Sequence, residues 1–240
     1  MRSKAELEHE IQRGWQAVLL INLLSRSVRR LGVTARELLE RNGFTFSEVH
    51  MVSAREDLAP AIQHALAARP ALLIVGSGDG TVSDIAVRLA YQDTVLGVLP
   101  FGTTNNFDRN LGIPAGLAAV GTIVNGKVAD IDLGQAGDDY FANVAGIGLS
   151  AEVAASVSPT LKRRLGRTAY ILSGLRRLVD HRAFTANLEV DGQPVGPNAS
   201  GGGCQRCLPR WNPDRPRRYD RRPTSRRVLV GERRPAGLHG

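Results

Sequence analysis

Two short stretches of the chain combine glycine, hydroxyl, amide and carboxylate groups in a way that suits phosphate chemistry. The first is Gly76-Ser77-Gly78-Asp79-Gly80-Thr81, with three glycines in five residues. Glycine tolerates positive φ and lets a ligand come close to the backbone. A helix that starts after such a turn presents free N–H groups and the positive end of its dipole, which suits an anion. The stretch lacks the Gly-Lys-Ser/Thr of a P-loop, and Thr81 stands where a dinucleotide fingerprint needs its last glycine. Asp79 is the informative residue. A carboxylate beside phosphate is repulsive unless a cation or a donor network intervenes, so it implies Mg2+ or ordered water. The second stretch is Pro100-Phe101-Gly102-Thr103-Thr104-Asn105-Asn106-Phe107. Either stretch alone also reads as a capped strand–helix turn, with Asp, Thr or Asn as the cap. Two polar glycine turns at one sheet edge favour a ligand site.

Placing both turns at one edge falls to the elements around them. The apolar run Ala17–Leu24 reads as a strand buried on both faces. Val28–Arg41 has helical spacing, with Gly43 as its stop. Phe44–Val52 reads as a strand, Asp57–Ala68 as a helix, Ala71–Val75 as a strand, Val82–Tyr91 as a helix and Val95–Leu99 as a strand. A further helix is expected over Ala115–Asn125. This alternation predicts an α/β fold with a doubly wound, mostly parallel sheet. Ligands in such sheets bind at the carboxyl ends of the strands.

Beyond Val128 the rhythm changes. Val128–Leu133 and Tyr140–Ala145 read as strands with no helix between them, and Pro159–Asp180 as a long helix. Ala183–Val190 reads as a strand ending in the hairpin dipeptide Asp191-Gly192. The expected organisation is a leader over 1–14, a nucleotide-binding domain over 15–127, the start of an incomplete β-rich second domain over 128–195, and a tail over 196–240. In the tail only Val228–Val230 resembles a strand.

The net charge of +8 divides unevenly along the 240 residues. The tail holds eleven Arg against Asp214, Asp220 and Glu232, so it carries the whole imbalance, and residues 1–195 are neutral. Seven Gly and six Pro accompany those Arg, and such a segment cannot offset its ordering entropy by burial, so disorder is expected. Both cysteines, Cys204 and Cys207, lie in the tail, so the body depends on no thiol chemistry. With His239 as the one histidine downstream, this lone CxxC does not make a zinc site. No apolar run is long enough to span a bilayer, and the N-terminus lacks the apolar core of a signal peptide. A cytoplasmic protein is expected.

The blocks VGSGDGTVSD and LGVLPFGTTNNFDRNLGIP together resemble the diacylglycerol kinase catalytic domain family, in particular the bacterial soluble lipid kinases. Sphingosine kinases and, more distantly, NAD kinases are relatives of that family. VLLINLLSRSVRRL, YFANVAGIGLSAEV and LKRRLGRTAYILSGLRRL match further family blocks in order and spacing, so the resemblance spans about residues 16–193. It implies transfer of the γ-phosphate of ATP to a lipid hydroxyl at a membrane surface, with Mg2+ as cofactor. Nucleotide contacts are then expected at Asn22, Ser25, Ser53, Ser77, Gly78, Asp79, Gly80, Thr81, Gly102 and Thr103, with Asn105 and Asn106 in support. Asp79 would act through Mg2+. No Asn-Glu pair of the NAD kinase type occurs in the chain. Three residues depart from the family pattern: Leu23 for Pro, Ser77 for Gly and Ser83 for Asn. Ser77 would be strained if its position required positive φ.

The basic residues of the long helix, Lys162, Arg163, Arg164, Arg167, Arg176, Arg177 and Arg182, read first as a solvated face. Their second reading is a surface for anionic lipid, and hence a peripheral membrane contact. The resemblance stops after VDGQPV, and the Arg-Pro-Gly bias that follows is that of a GC-rich coding region read out of frame, near codon 195. The resemblance also implies an acidic general base beyond that point, and no residue of 196–240 matches it. The catalytic base is therefore unassigned. The chain reads as a lipid kinase or as a nucleotide-binding fragment that turns nothing over. An electrostatic nucleic-acid contact through the Arg tail is the weaker reading, and no specific nucleic acid is expected.

Overall fold

The computed structural model describes residues 3–12, 17–24, 26–136 and 138–147, together with strand segments 184–186, 189–190, 193–194, 198–200, 204–207 and 225–230. Two compact units result: 1–143 with 209–240, and 144–208.

The first unit opens with α1 (Lys4–Gln12) and β1 (Ala17–Asn22), then α2 (Arg26–Arg41), β2 (Phe46–Val52), α3 (Leu58–Ala67), β3 (Leu72–Ser77), α4 (Asp79–Arg88) and β4 (Val95–Pro100). The short α5 (Asn106–Asn110) follows, then a 3-10 turn at Gly116–Ala118, α6 (Ala119–Asn125), β5 (Lys127–Asp132), β6 (Gly134–Ala136) and β7 (Asp139–Phe141). In the second unit β8 is Val144–Ile147, β9 Phe184–Ala186, β10 Glu189–Val190, β11 Gln193–Pro194, β12 Asn198–Ser200 and β13 Cys204–Cys207. A last strand, β14 (Ser225–Val230), returns to the first.

The apolar runs decide the sheet. β1 and β3 are buried along almost their whole length, with Leu19, Leu20, Ile21, Leu73, Ile74 and Val75 fully inaccessible. Each such side chain contributes about 1.5–3 kcal/mol on leaving water. The sheet order is β2-β1-β3-β4-β14-β5, and β2, β1, β3 and β4 run parallel. From β1 the chain crosses outward to β2, and from β3 it crosses the other way to β4. The carboxyl ends of β1 and β3 therefore flank the point where the winding reverses, the place where open α/β sheets form a crevice. The registers keep the strand ends level, since Asn22 pairs with Val52, Ile21 with Gly76 and Ser77 with Pro100.

The α/β expectation is met, and the helix that begins at Asp79 starts three residues earlier than its apolar spacing indicates. The expected strand at Tyr140–Ala145 is divided, because β7 pairs with β6 while β8 pairs with β13. Val190 lies opposite Gln193, the register that Asp191-Gly192 predicts. The helix expected over Pro159–Asp180, its membrane surface included, falls outside the described residues.

Within the tail, read from composition as lacking order, Asn198–Ser200, Cys204–Cys207 and Ser225–Val230 form strands, and the third of these, β14, joins the main sheet. It lies parallel to β4 and antiparallel to β5, from Ser225 opposite Asp132 to Val230 opposite Lys127. The apolar run Val228-Leu229-Val230 is the fragment with strand character, and between β4 and β5 it covers two edges that would otherwise be unpaired. Toward the N-terminus, Leu7 and Ile11 of α1 join the core, the Glu8 carboxylate accepts the Val128 N–H at 2.9 Å, and Lys4 pairs with Asp130 at 2.6 Å.

Candidate functional site

The two glycine turns leave adjacent strands and touch one another. Phe101 N–H donates to the Ser77 carbonyl at 2.9 Å, extending the β3–β4 ladder into the turns. Beyond it the backbones close in. A Cβ on Gly102 would lie 2.6 Å from Gly78 Cα and 2.5 Å from Asn105 Oδ1, and one on Gly76 would lie 2.9 Å from the Phe101 ring. The glycines therefore serve close approach. None of Gly76, Gly78, Gly80 or Gly102 has positive φ, a conformation found at Gly43, Gly112 and Gly116. Ser77, too, is ordinary strand, without the strain that positive φ would bring.

Gly78 is the N-cap of α4, with φ −95° and ψ 174°, and no side chain caps the helix. The first helical bond runs from Val82 N–H to the Gly78 carbonyl at 3.2 Å. The N–H groups of Asp79, Gly80 and Thr81 thus precede any intrahelical acceptor, and a 10-residue helix directs its positive end toward them.

Asp79 faces across the turn rather than capping its own helix. Its Oδ1 accepts the Phe107 N–H at 3.1 Å and so ties the start of α5 to the start of α4. Asn105 holds the second turn from inside. It adopts the left-handed conformation, φ 47° and ψ 46°, and its amide donates to the carbonyls of Pro100 at 3.3 Å and Gly102 at 3.1 Å. Thr103 and Asn106 are exposed at the surface of this turn.

Of the other expected contacts, Asn22 ends β1 and spends its Oδ1 on the Leu24 N–H at 3.2 Å, an Asx turn. Leu23 N–H donates to the Val52 carbonyl at 2.7 Å, which sets exposed Ser53 beside the end of β1. Ser25 lies outside the described residues. Asn22, Ser53, Ser77 to Thr81 and Gly102 to Asn106 thus all lie along the carboxyl edge of the parallel strands.

One residue of this region escapes sequence reasoning. Asp108, on α5, is fully buried, and neither of its carboxylate oxygens has a hydrogen-bond partner. Burial, and secondarily the charge of Asp79, push its carboxyl up from 3.8 to about 7. Its signal was an acid between Phe107 and Leu111, positions that the helix buries. Asn105 Oδ1 is likewise buried without a partner.

The donor set is hard oxygen, which suits magnesium. Among the described residues no group of three or more His, Cys, Asp or Glu side chains could hold a metal by itself. Magnesium asks for less, since it commonly takes one or two carboxylates together with phosphate oxygens and water. Buried acceptors without donors beside Asp79 fit such an ion. Among the described residues, no helix is long and apolar enough to cross a membrane.

Residues 16–136 match the family model described as the diacylglycerol kinase catalytic domain. The chain is 38% identical over 158 residues to the diacylglycerol kinase of Bacillus subtilis, covering 64% of this chain and 52% of that one. It is also 38% identical over 138 residues to a probable lipid kinase, YegS-like, of Pseudomonas putida, covering 57% and 47%. The chain thus spans about half the length of these relatives. A crystal structure of a diacylglycerol kinase from Bacillus anthracis superposes with a TM-score of 0.57 at 26% identity, covering 75% of this chain and 62% of that one.

Proposed function

The chain belongs to the diacylglycerol kinase catalytic domain family, and from that premise we propose that its paired glycine turns bind the phosphates of ATP for transfer of the γ-phosphate to a lipid hydroxyl. The observation that carries the proposal is the contact of Gly78 with Gly102, which sets the free N–H groups of Asp79, Gly80 and Thr81 beside the second turn.

In this reading the backbone does most of the binding. The α4 N–H groups donate to phosphate oxygens, and the helix dipole favours their charge. Thr81 and Thr103 offer hydroxyl donors, while Asn22 and Ser53 bound the nucleotide along the ends of β1 and β2. Asn105 acts through the backbone by holding the Pro100 and Gly102 carbonyls. Asp79 would hold a magnesium ion, which when bound neutralises charge on the transferred phosphate. The general base is not assigned to any residue.

Incubation of the full chain with γ-labelled ATP, Mg2+ and diacylglycerol in mixed micelles tests the proposal. Label in the lipid is the expected outcome. Magnesium-dependent ATP binding with no labelled lipid would identify a nucleotide-binding fragment instead, and absence of binding would refute both.

A further inference from the structure

All the buried side-chain oxygens without a hydrogen-bond partner among the described residues belong to Asn105 and Asp108. They lie three residues apart, and Phe107 between them is bonded to Asp79. A buried carboxylate with neither oxygen satisfied is costly, and the cost selects for a proton, a water or a cation at that place.

The ordinary role for an acid at this position is a capping box. Asp108 is the third residue of α5 and Asn105 its N-cap, so the Asp108 carboxylate would normally reach back to the Asn105 N–H. That arrangement needs an N-cap in the extended region, and Asn105 is left-handed. Consistent with this, Asp108 makes no such bond. An acid kept merely for the stability of α5 would gain more by bonding.

We propose that Asp108 is a ligand of the divalent cation that accompanies the nucleotide, joining Asp79 so that two carboxylates from adjacent turns hold the ion. The inference rests on the ATP-binding reading and adds to it a residue from the second turn. Two carboxylates, with phosphate oxygens and water, make up a common magnesium shell. The pairing also gives the contact between the turns a purpose, because α4 supplies Asp79 and α5 supplies Asp108. Asp79 keeps one oxygen on the N–H of Phe107, the residue next to Asp108, which ties the two acidic segments together.

Mn2+ serves as the probe, titrated into the full chain at saturating ATP and followed by electron paramagnetic resonance. Asp108→Asn keeps the shape of the side chain and removes its charge. The expected result is a loss of Mn2+ affinity of about tenfold or more. Isotopically labelled water should also report an added water on the ion, a change that a purely structural residue would not cause. Asp108→Ala should behave in the same way, which keeps the test open if one variant folds poorly. Affinity and bound water both unchanged in Asp108→Asn, with Asp79→Asn impaired, would overturn this inference and leave the ATP reading standing. A parent chain that binds no ATP with Mn2+ would overturn both.

Discussion

A methyl group on Gly102 would meet Gly78 Cα at 2.6 Å and Asn105 Oδ1 at 2.5 Å, and the first of these is backbone that cannot swing aside. Gly102→Ala should therefore force the turns apart. The expected cost is about 1–3 kcal/mol in chemical denaturation, with a larger proportional loss of ATP affinity in calorimetric titration. Gly80→Ala is the control, since a Cβ there meets nothing within 4 Å. Asp108 gives a second test. Its carboxyl titrates at about 7 in the folded chain against 3.8 as its ordinary value, so the folded state holds the proton more tightly. In metal-free buffer this residue's contribution to stability is fully present below about pH 4. It declines as pH rises through the window to about 7, by on the order of 4 kcal/mol. Asp108→Asn should match the parent near pH 4 and exceed it at pH 7.5, as read by urea denaturation. Residue identities alone marked Asp79 for this region, because a carboxylate in a glycine turn is chemically conspicuous. Asp108 was illegible, because its meaning comes from burial on a helix too short to show a periodicity.

At the scale of elements, the alternation of apolar strands with helices was legible, because strands covered on both faces are continuous runs such as Ala17–Ile21 and Leu72–Val75. How the glycines act was less so. Composition cannot distinguish a glycine that supplies positive φ from one that admits a close neighbour, and in this site none supplies positive φ, while Gly78 and Gly102 admit each other's backbone and Gly76 admits the Phe101 ring. The left-handed residue is Asn105 instead, a type that tolerates the conformation through its short polar side chain. Asn105→Ala should lose both amide bonds and suffer the left-handed strain, costing about 2–4 kcal/mol together. Asn105→Gly should recover the strain but not the bonds. Thermal unfolding of the two variants separates the contributions, with Asn105→Gly melting the higher.

At the scale of the whole chain, the first unit draws α1 from the N-terminal part and β14 from the C-terminal part. Leu7 is fully buried although its helix is strongly charged, and Leu7→Ala is expected to cost about 2–5 kcal/mol in urea denaturation. Nothing in the mixed charge of MRSKAELEHE announces this, because two apolar residues at helical spacing are too few to read. Of the strands described in the Arg-rich tail, β14 is the one that joins the six-stranded sheet, through Val228–Val230, the segment with the composition of a strand. The proposed change of reading frame near codon 195 predicts that nucleotide reads in a shifted register continue the family pattern, which resequencing checks directly. The central claim concerns the first unit alone: two turns meeting at one sheet edge hold the phosphates of ATP through main-chain N–H groups and a cation on Asp79. Asp79→Asn tests it most directly, since an amide oxygen can still accept the Phe107 N–H while the charge is gone. Calorimetric titration of ATP with and without Mg2+ should show a magnesium-enhanced affinity in the parent chain and none in Asp79→Asn, with the melting temperature kept. Equal magnesium enhancement in both proteins would contradict it.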